Sequence, residues 1–133
     1  MGEPVNFDGL YKDLTERIIG CAVKVHRTLG PGFLESVYEN ALAIEMGAEG
    51  IEFKRQVEIE LTYAGQTVGI HRLDMLVDDK VVVELKAKEH ICEADKATTL
   101  SYLAATDKAI GLIINFGKPI IDVKRLGNKM TNF

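Results

Sequence analysis

The sequence predicts an α/β domain, a mixed β-sheet with helices packed against it, in the order ααβββαββ. Three observations lead there. Apolar residues recur at helical spacing through the first third of the chain. Alternating and continuous apolar runs, separated by turn residues, follow. A further helical stretch then separates two such runs, giving a strand–helix–strand unit that is expected to be parallel and right-handed.

From Leu10, residues Leu14, Ile18, Cys21, Ala22, Val25 and Leu29 fall on one face of a long amphipathic first helix. Gly30-Pro31-Gly32 ends it, because Gly caps helices and Pro cannot continue one. A second helix is expected from near Phe33 to about Met46, with Leu34, Tyr38, Ala41 and Leu42 on one side. Residues 53–63 alternate apolar and polar from Val57 to Leu61, a half-buried first strand, and Ala64-Gly65 is a hairpin turn. RLDMLVDDKVVVELKAK, Arg72 to Lys88, supplies the second and third strands. Glu93 to Thr106 carry Ala97, Leu100, Leu103 and Ala104 at helical spacing. Ile110 to Ile114 form a continuous apolar run, the pattern of a central strand covered on both faces. Asn115-Phe116-Gly117-Lys118-Pro119 then turns the chain into a last short strand, Ile120 to Leu126.

With 133 residues the chain is expected to be one domain, 1–133, large enough for a single core. Its 47% apolar and 27% charged residues are ordinary for a folded globular protein. No apolar run approaches the length of a membrane span, and the acidic start MGEPVNFDGLYKDL lacks a signal-peptide pattern. A cytoplasmic location with no membrane contact is the expectation. Cys21 and Cys92 have no zinc or redox spacing and read as two reduced thiols. Residues 1–79 hold 7 Lys and Arg against 14 Asp and Glu, a net −7; residues 80–133 hold 9 against 6, a net +3. The C-terminal excess permits an anionic partner such as nucleic acid without arguing for one.

The chemistry is concentrated in the hairpin. Asp74, Glu84 and Lys86 interrupt its Val, Leu and Met residues, and ionised groups are costly to bury unless paired. Side chains alternate along a strand, so Glu84 and Lys86 share a face, as do Arg72 and Asp74. If Asp74 faces Glu84 across the ladder, Val77 pairs with Val81 and Asp78-Asp79-Lys80 form a three-residue loop. A regular two-residue turn would set Asp74 opposite Leu85 instead. Two converging carboxylates suit Mg²⁺ or Mn²⁺, since such ions need one or two carboxylates plus water and phosphate oxygens. A lysine beside them can orient an attacking water or stabilise developing phosphate charge. Asp, Glu and Lys here form a starting kit for metal-dependent phosphodiester hydrolysis. Glu-x-Lys alone is a common tripeptide, and a solvated pair on a half-exposed strand satisfies it equally. Its apolar surroundings and the preceding Asp favour the functional reading.

Glu35 adds a second acid, three residues before Tyr38 on the apolar side of the second helix. There it can also act simply by complementing the helix dipole. His26, beside the apolar stripe of the first helix, reads as a packed or capping residue. His71 suits either phosphate contact or solvent, and His90 lies in a connection of the kind that often reaches active sites.

Gly32-x-x-Glu35-x-x-Tyr38, preceded by His26 and Leu29-Gly30-Pro31, resembles the signature of the GxxExxY family. HRLDMLVDDKVVVELKA, LSYL and GLIINFG stand where that family has its Asp, its Glu-x-Lys, its Tyr-Leu helix and its Asn-Phe-Gly turn. The resemblance spans residues 10–127, and the family is placed in the PD-(D/E)XK nuclease-like superfamily. It implies a restriction-endonuclease-like fold in which Glu35, Asp74 and Glu84 hold Mg²⁺ or Mn²⁺ and Lys86 acts on water. Arg72, Thr98 and Tyr102 are then the positions for substrate contact. One departure stands out. Counting back from Tyr102, Thr98 and Asp95 occupy the places of the family's usual Gln and frequent His. Thr98 is too short to reach phosphate or Lys86 as a Gln would, unless water bridges the gap. Two functions are therefore open. One is a metal-dependent nuclease of DNA or RNA. The other is a catalytically weak or silent module that binds nucleic acid or protein on the same fold. A chain this short leaves little surface for gripping a duplex, which makes a homodimer an expectation.

Overall fold

In the computed structural model, which describes residues 9–128, the elements follow the ααβββαββ order. The stretch read for a signal peptide lies, up to residue 8, outside the described residues. The elements are α1 (Lys12–Leu29), α2 (Glu35–Ala48), β1 (Phe53–Tyr63), β2 (Gln66–Val77), β3 (Val81–Lys86), α3 (Glu93–Thr106), β4 (Ile110–Asn115) and β5 (Asp122–Gly127). The strands form one mixed sheet in the order β1-β2-β3-β4-β5. Only β3 and β4, joined through α3, run parallel. No helix among the described residues is long and apolar enough to cross a membrane.

α1 buries Ile18, Cys21, Ala22 and Val25, the stripe its spacing creates. Gly30, at φ 69°, ends it and donates its N–H to His26 O. α2 begins at Glu35, later than Phe33, because Pro31 to Leu34 form an exposed connection. These two helices cover one face of the sheet, packing on Met75, Val77, Val81, Val83, Leu85 and Leu112. On the opposite face α3, through Leu103, covers Leu73, Leu76 and Val82. Helices on both sides explain why β4 is buried from end to end and reads as an unbroken apolar run.

Ala64 and Gly65, at φ 52° and 78°, make the two-residue turn between β1 and β2, with Tyr63 opposite Gln66. Val77 pairs with Val81, so Asp78-Asp79-Lys80 form a three-residue loop, with positive φ at both aspartates. Two boundaries differ from the expected ones. β2 starts at Gln66 rather than near Arg72, since the outer half of that hairpin is largely exposed and carries no clean alternation. Val68 and Ile70 are 66% and 58% exposed. β5 starts at Asp122 rather than Ile120, because Ile120 is 80% exposed in the turn after Pro119.

One irregularity sets the position of the site. Phe53, Met75 and Val77 point to the α1/α2 face, whereas Val57, Ile59 and Leu73 pack on the α3 face. Strict alternation would have kept all six on one side. The slip falls between the Arg55–Met75 and Val57–Leu73 pairs, where the Gln56–Asp74 pair is missing from the ladder. Gln56 takes φ 52° there, a conformation that costs a non-glycine residue free energy. The buried Glu39 of α2 offsets this cost. It accepts hydrogen bonds from Gln56 Nε2 at 2.7 Å and Arg55 Nε at 2.9 Å.

Candidate active site

The β2–β3 ladder ends at Met75 and Val83. Past it the Asp74 side chain meets β3, its Oδ2 accepting the Leu85 N–H at 2.8 Å. A backbone donor that would otherwise lose its partner is thereby satisfied, and the strands can part. Counting the ladder onward sets Asp74 opposite Glu84, and the two side chains are in hydrogen-bonding contact. Glu84 is only 6% exposed. Burial first, then the Asp74 charge and that contact, push its carboxyl up to about 9, against the pull of Lys86 and a backbone hydrogen bond from Asp74. Glu84 therefore holds a proton at neutral pH.

His71 approaches Glu84 from β2, with its Nε2 3.5 Å from Glu84 Oε1. Both atoms are buried, and among the described residues neither has a hydrogen-bond partner. The imidazole is stacked on the Tyr102 ring of α3, at 3.7 Å between centroids and 14° between planes. Burial holds His71 below the ordinary imidazole range; Lys86 adds to this and Asp74 opposes it. A neutral ring faces a protonated carboxyl at neutral pH, so the contact is not an ion pair there. Burial, then the Glu84 charge, raises the Tyr102 hydroxyl.

Lys86, the last residue of β3, lies on the same face as Glu84, with its Nζ 3.9 Å from Asp95 Oδ1. Asp95 Oδ2 also accepts from Lys88 Nζ at 2.8 Å and from the Cys92 N–H at 2.9 Å, at the start of α3. Lys88 first, and the Cys92 N–H second, hold the Asp95 carboxyl down to about 2. Asp95 thus stays ionised and offers both lysines a counter-charge.

Glu35 is placed by Tyr38. The Tyr38 hydroxyl donates to Gly30 O and accepts the Phe33 N–H, while its ring stacks on Phe116 at 4.5 Å. Gly32 takes φ 112° in this connection, which a side chain rarely adopts. Glu35 is thereby fixed as the first residue of α2. The residue is exposed, yet partial desolvation raises its carboxyl. The charges of Lys86, Asp74, Lys88 and Asp95 also act on it, so it lies within electrostatic reach of the same row.

Asn115 locks the far side. Fully buried, it accepts the Lys88 and Gly117 N–H groups at 3.1 and 3.0 Å and donates to Lys88 O at 2.9 Å. A Cβ on Gly117 would come within 2.3 Å of Lys88 N, so only glycine fits against this backbone. Asn-Phe-Gly therefore ties the segment after Lys86 to the end of β4, and its Phe116 stacks on Tyr38. His26 is buried, with its Nε2 2.8 Å from Lys118 O, which pins the same turn to α1.

Of the residues expected at the site, Asp74, Glu84, Lys86 and Tyr102 come together, and Glu35 stands within reach of their charges. Arg72 pairs instead with Glu58 at 3.8 Å, and Thr98 is exposed on α3. His71, not Arg72, meets Glu84. Sequence reasoning gives His71 no priority, because the slip at Gln56 has no signature in residue type. Asp95 is readable only as an acid in the first turn of a helix.

Among the described residues no three His, Cys, Asp or Glu side chains are grouped to hold a metal ion. The Asp74–Glu84 pair still fits a hard divalent cation, whose shell is commonly completed by water and phosphate. The donor set itself favours this: two carboxyl groups are brought into contact where the ladder ends, one of them buried.

Residues 12–126 match a family model described as the PD-(D/E)XK nuclease superfamily. No curated protein matches the chain. Among solved structures, the crystal structure of SSO0001 is similar at 16% identity with a TM-score of 0.53. That likeness covers 88% of this chain and 59% of the other, and at such identity it is one of fold. The family match takes in the splayed hairpin, its carboxylate pair, Lys86 and the helix that bears Glu35, and this chain belongs to the PD-(D/E)XK nuclease superfamily.

Proposed function

We propose that this chain is a GxxExxY-type nuclease, a single domain over 1–133 that hydrolyses phosphodiester bonds of DNA or RNA with Mg²⁺ or Mn²⁺, in the cytoplasm. One observation carries the reading: a buried Glu84 carboxyl contacts Asp74 and stands two residues before Lys86. A bound divalent cation supplies charge neutralisation at the scissile phosphate and a more acidic water. Asp74 and Glu84 would hold that ion, Glu84 as its carboxylate. Lys86, as an ammonium, orients the attacking water and offsets charge on the phosphate oxygens. Glu35 would complete the shell through water, and Tyr102 and Thr98 are the substrate-facing positions, Arg72 being turned to Glu58 on the other face. A homodimer would supply the grip that one small domain lacks.

A second reading has its own observation. Lys86 has Asp95 as a neighbour, and the place of a longer amide on α3 is taken by the exposed Thr98. Both features fit a weak or silent site on a module that only binds nucleic acid or protein. A panel of labelled single- and double-stranded DNA and RNA, incubated with Mg²⁺ and with Mn²⁺, separates the two. Metal-dependent cleavage, faster in Thr98→Gln, is the expected result. Gel shifts without cleavage under any condition would replace the nuclease with the binding module.

A further inference from the structure

His71 Nε2 and Glu84 Oε1 face each other at 3.5 Å, both buried and both without a hydrogen-bond partner among the described residues. Buried polar atoms are nearly always paired, so two orphans side by side mark a contact that needs only a small closure. The ring has little freedom to be elsewhere. Tyr102 stacks against it at 3.7 Å, and its β1 partner is Ile59, whose side chain packs on the same α3-facing cluster. The slip at Gln56–Asp74 is what brings residue 71 to this face.

We propose that His71 is a positioning residue for Glu84: its Nε2–H donates to Oε1 and turns the other carboxylate oxygen toward Asp74, so that the acidic pair meets a divalent cation in one orientation. This rests on the metal-site reading above. Hydrogen bonds of this kind commonly orient ligating carboxylates, and losing one typically weakens metal affinity about 10–100-fold. Tyr102 contributes the stacked plane that fixes the ring.

Mn²⁺ titration of the full chain by calorimetry tests this, using wild type, His71→Gln and His71→Phe, with metal-free melting curves for each. Gln carries its amide nitrogen close to the Nε2 position and should keep affinity within about threefold, whereas Phe keeps the stack, loses the donor and should bind at least about tenfold more weakly. Metal-free melting temperatures should not follow that order. Equal Mn²⁺ affinity in wild type and His71→Phe would overturn the positioning role while leaving the metal site standing. No Mn²⁺ binding by wild type would overturn both. If His71→Phe does not fold, His71→Asn takes its place, since its amide is too short to reach Glu84. Asn weaker than Gln supports the role, and Asn equal to Gln overturns it.

Discussion

Lys86→Ala is expected to slow cleavage of a labelled nucleic acid in Mn²⁺ by at least about tenfold, equivalent to about 1.4 kcal/mol of transition-state stabilisation. Fold and metal binding should be unaffected. Lys86 ends β3 with its side chain 31% exposed, and among the described residues its ion-pair neighbour is Asp95 at 3.9 Å, so removing the ammonium opens little of the core. On the proposed reading the ammonium acts instead on water or phosphate beside Glu84. Glu84→Gln should behave differently, losing Mn²⁺ and cleavage together, because it deletes a charged ligand. An unchanged rate in Lys86→Ala would remove this residue from the chemistry.

Stability without metal should fall as pH rises, and Glu84 is the cause. Its carboxyl stands at about 9 in the folded protein against 4.5 in the unfolded chain. Between those values the folded state holds the extra proton. The stabilisation is complete below the unfolded value and is lost as pH rises through the folded one. Each pH unit in that window costs up to about 1.4 kcal/mol. Glu35, also raised, acts in the same direction, while Asp95, depressed to about 2, adds its slope only in acid. His71, depressed by burial, makes stability rise with pH below the ordinary imidazole range. In the window from pH 7 to 8 the difference between wild type and Glu84→Gln therefore reports Glu84, since Glu35 and Cys21, both raised by burial, act alike in the two. Urea denaturation across it should show falling stability in wild type and a much flatter profile in Glu84→Gln. Parallel profiles would mean that Glu84 is already ionised when buried.

Element order was readable because it rests on patterns that burial enforces. The stripe on α1, the alternation from Val57 to Leu61 and the unbroken run of β4 each follow from which faces are covered. The Asp74–Glu84 opposition was readable too, since hairpin parity fixes it once Val77 meets Val81. What escaped is set by tertiary contact. Gln56 adopts a left-handed conformation because Glu39 of α2 binds it, and nothing in FKRQVEIEL announces that partner. The resulting slip sends His71 to the site, while Arg72 pairs with Glu58. β2 was expected to be shorter because its outer half has little to bury. The GxxExxY spacing makes sense only with the hydroxyl of Tyr38 bonded to Gly30 and Phe33, contacts that a linear reading does not contain.

The central claim is that Asp74 and Glu84 form one divalent-cation site, and the Mn²⁺ dependence of thermal unfolding tests it most directly. Binding to the folded state alone stabilises by about 2.7 kcal/mol at a hundredfold excess over the dissociation constant. For a domain of this size that corresponds to a rise of about 10 °C in Tm. Wild type should show such a rise, larger at pH 8 than at pH 6.5 because the ion displaces the Glu84 proton. Asp74→Asn should abolish most of it. A wild-type Tm indifferent to millimolar Mn²⁺, or an equal rise in Asp74→Asn, would contradict the claim.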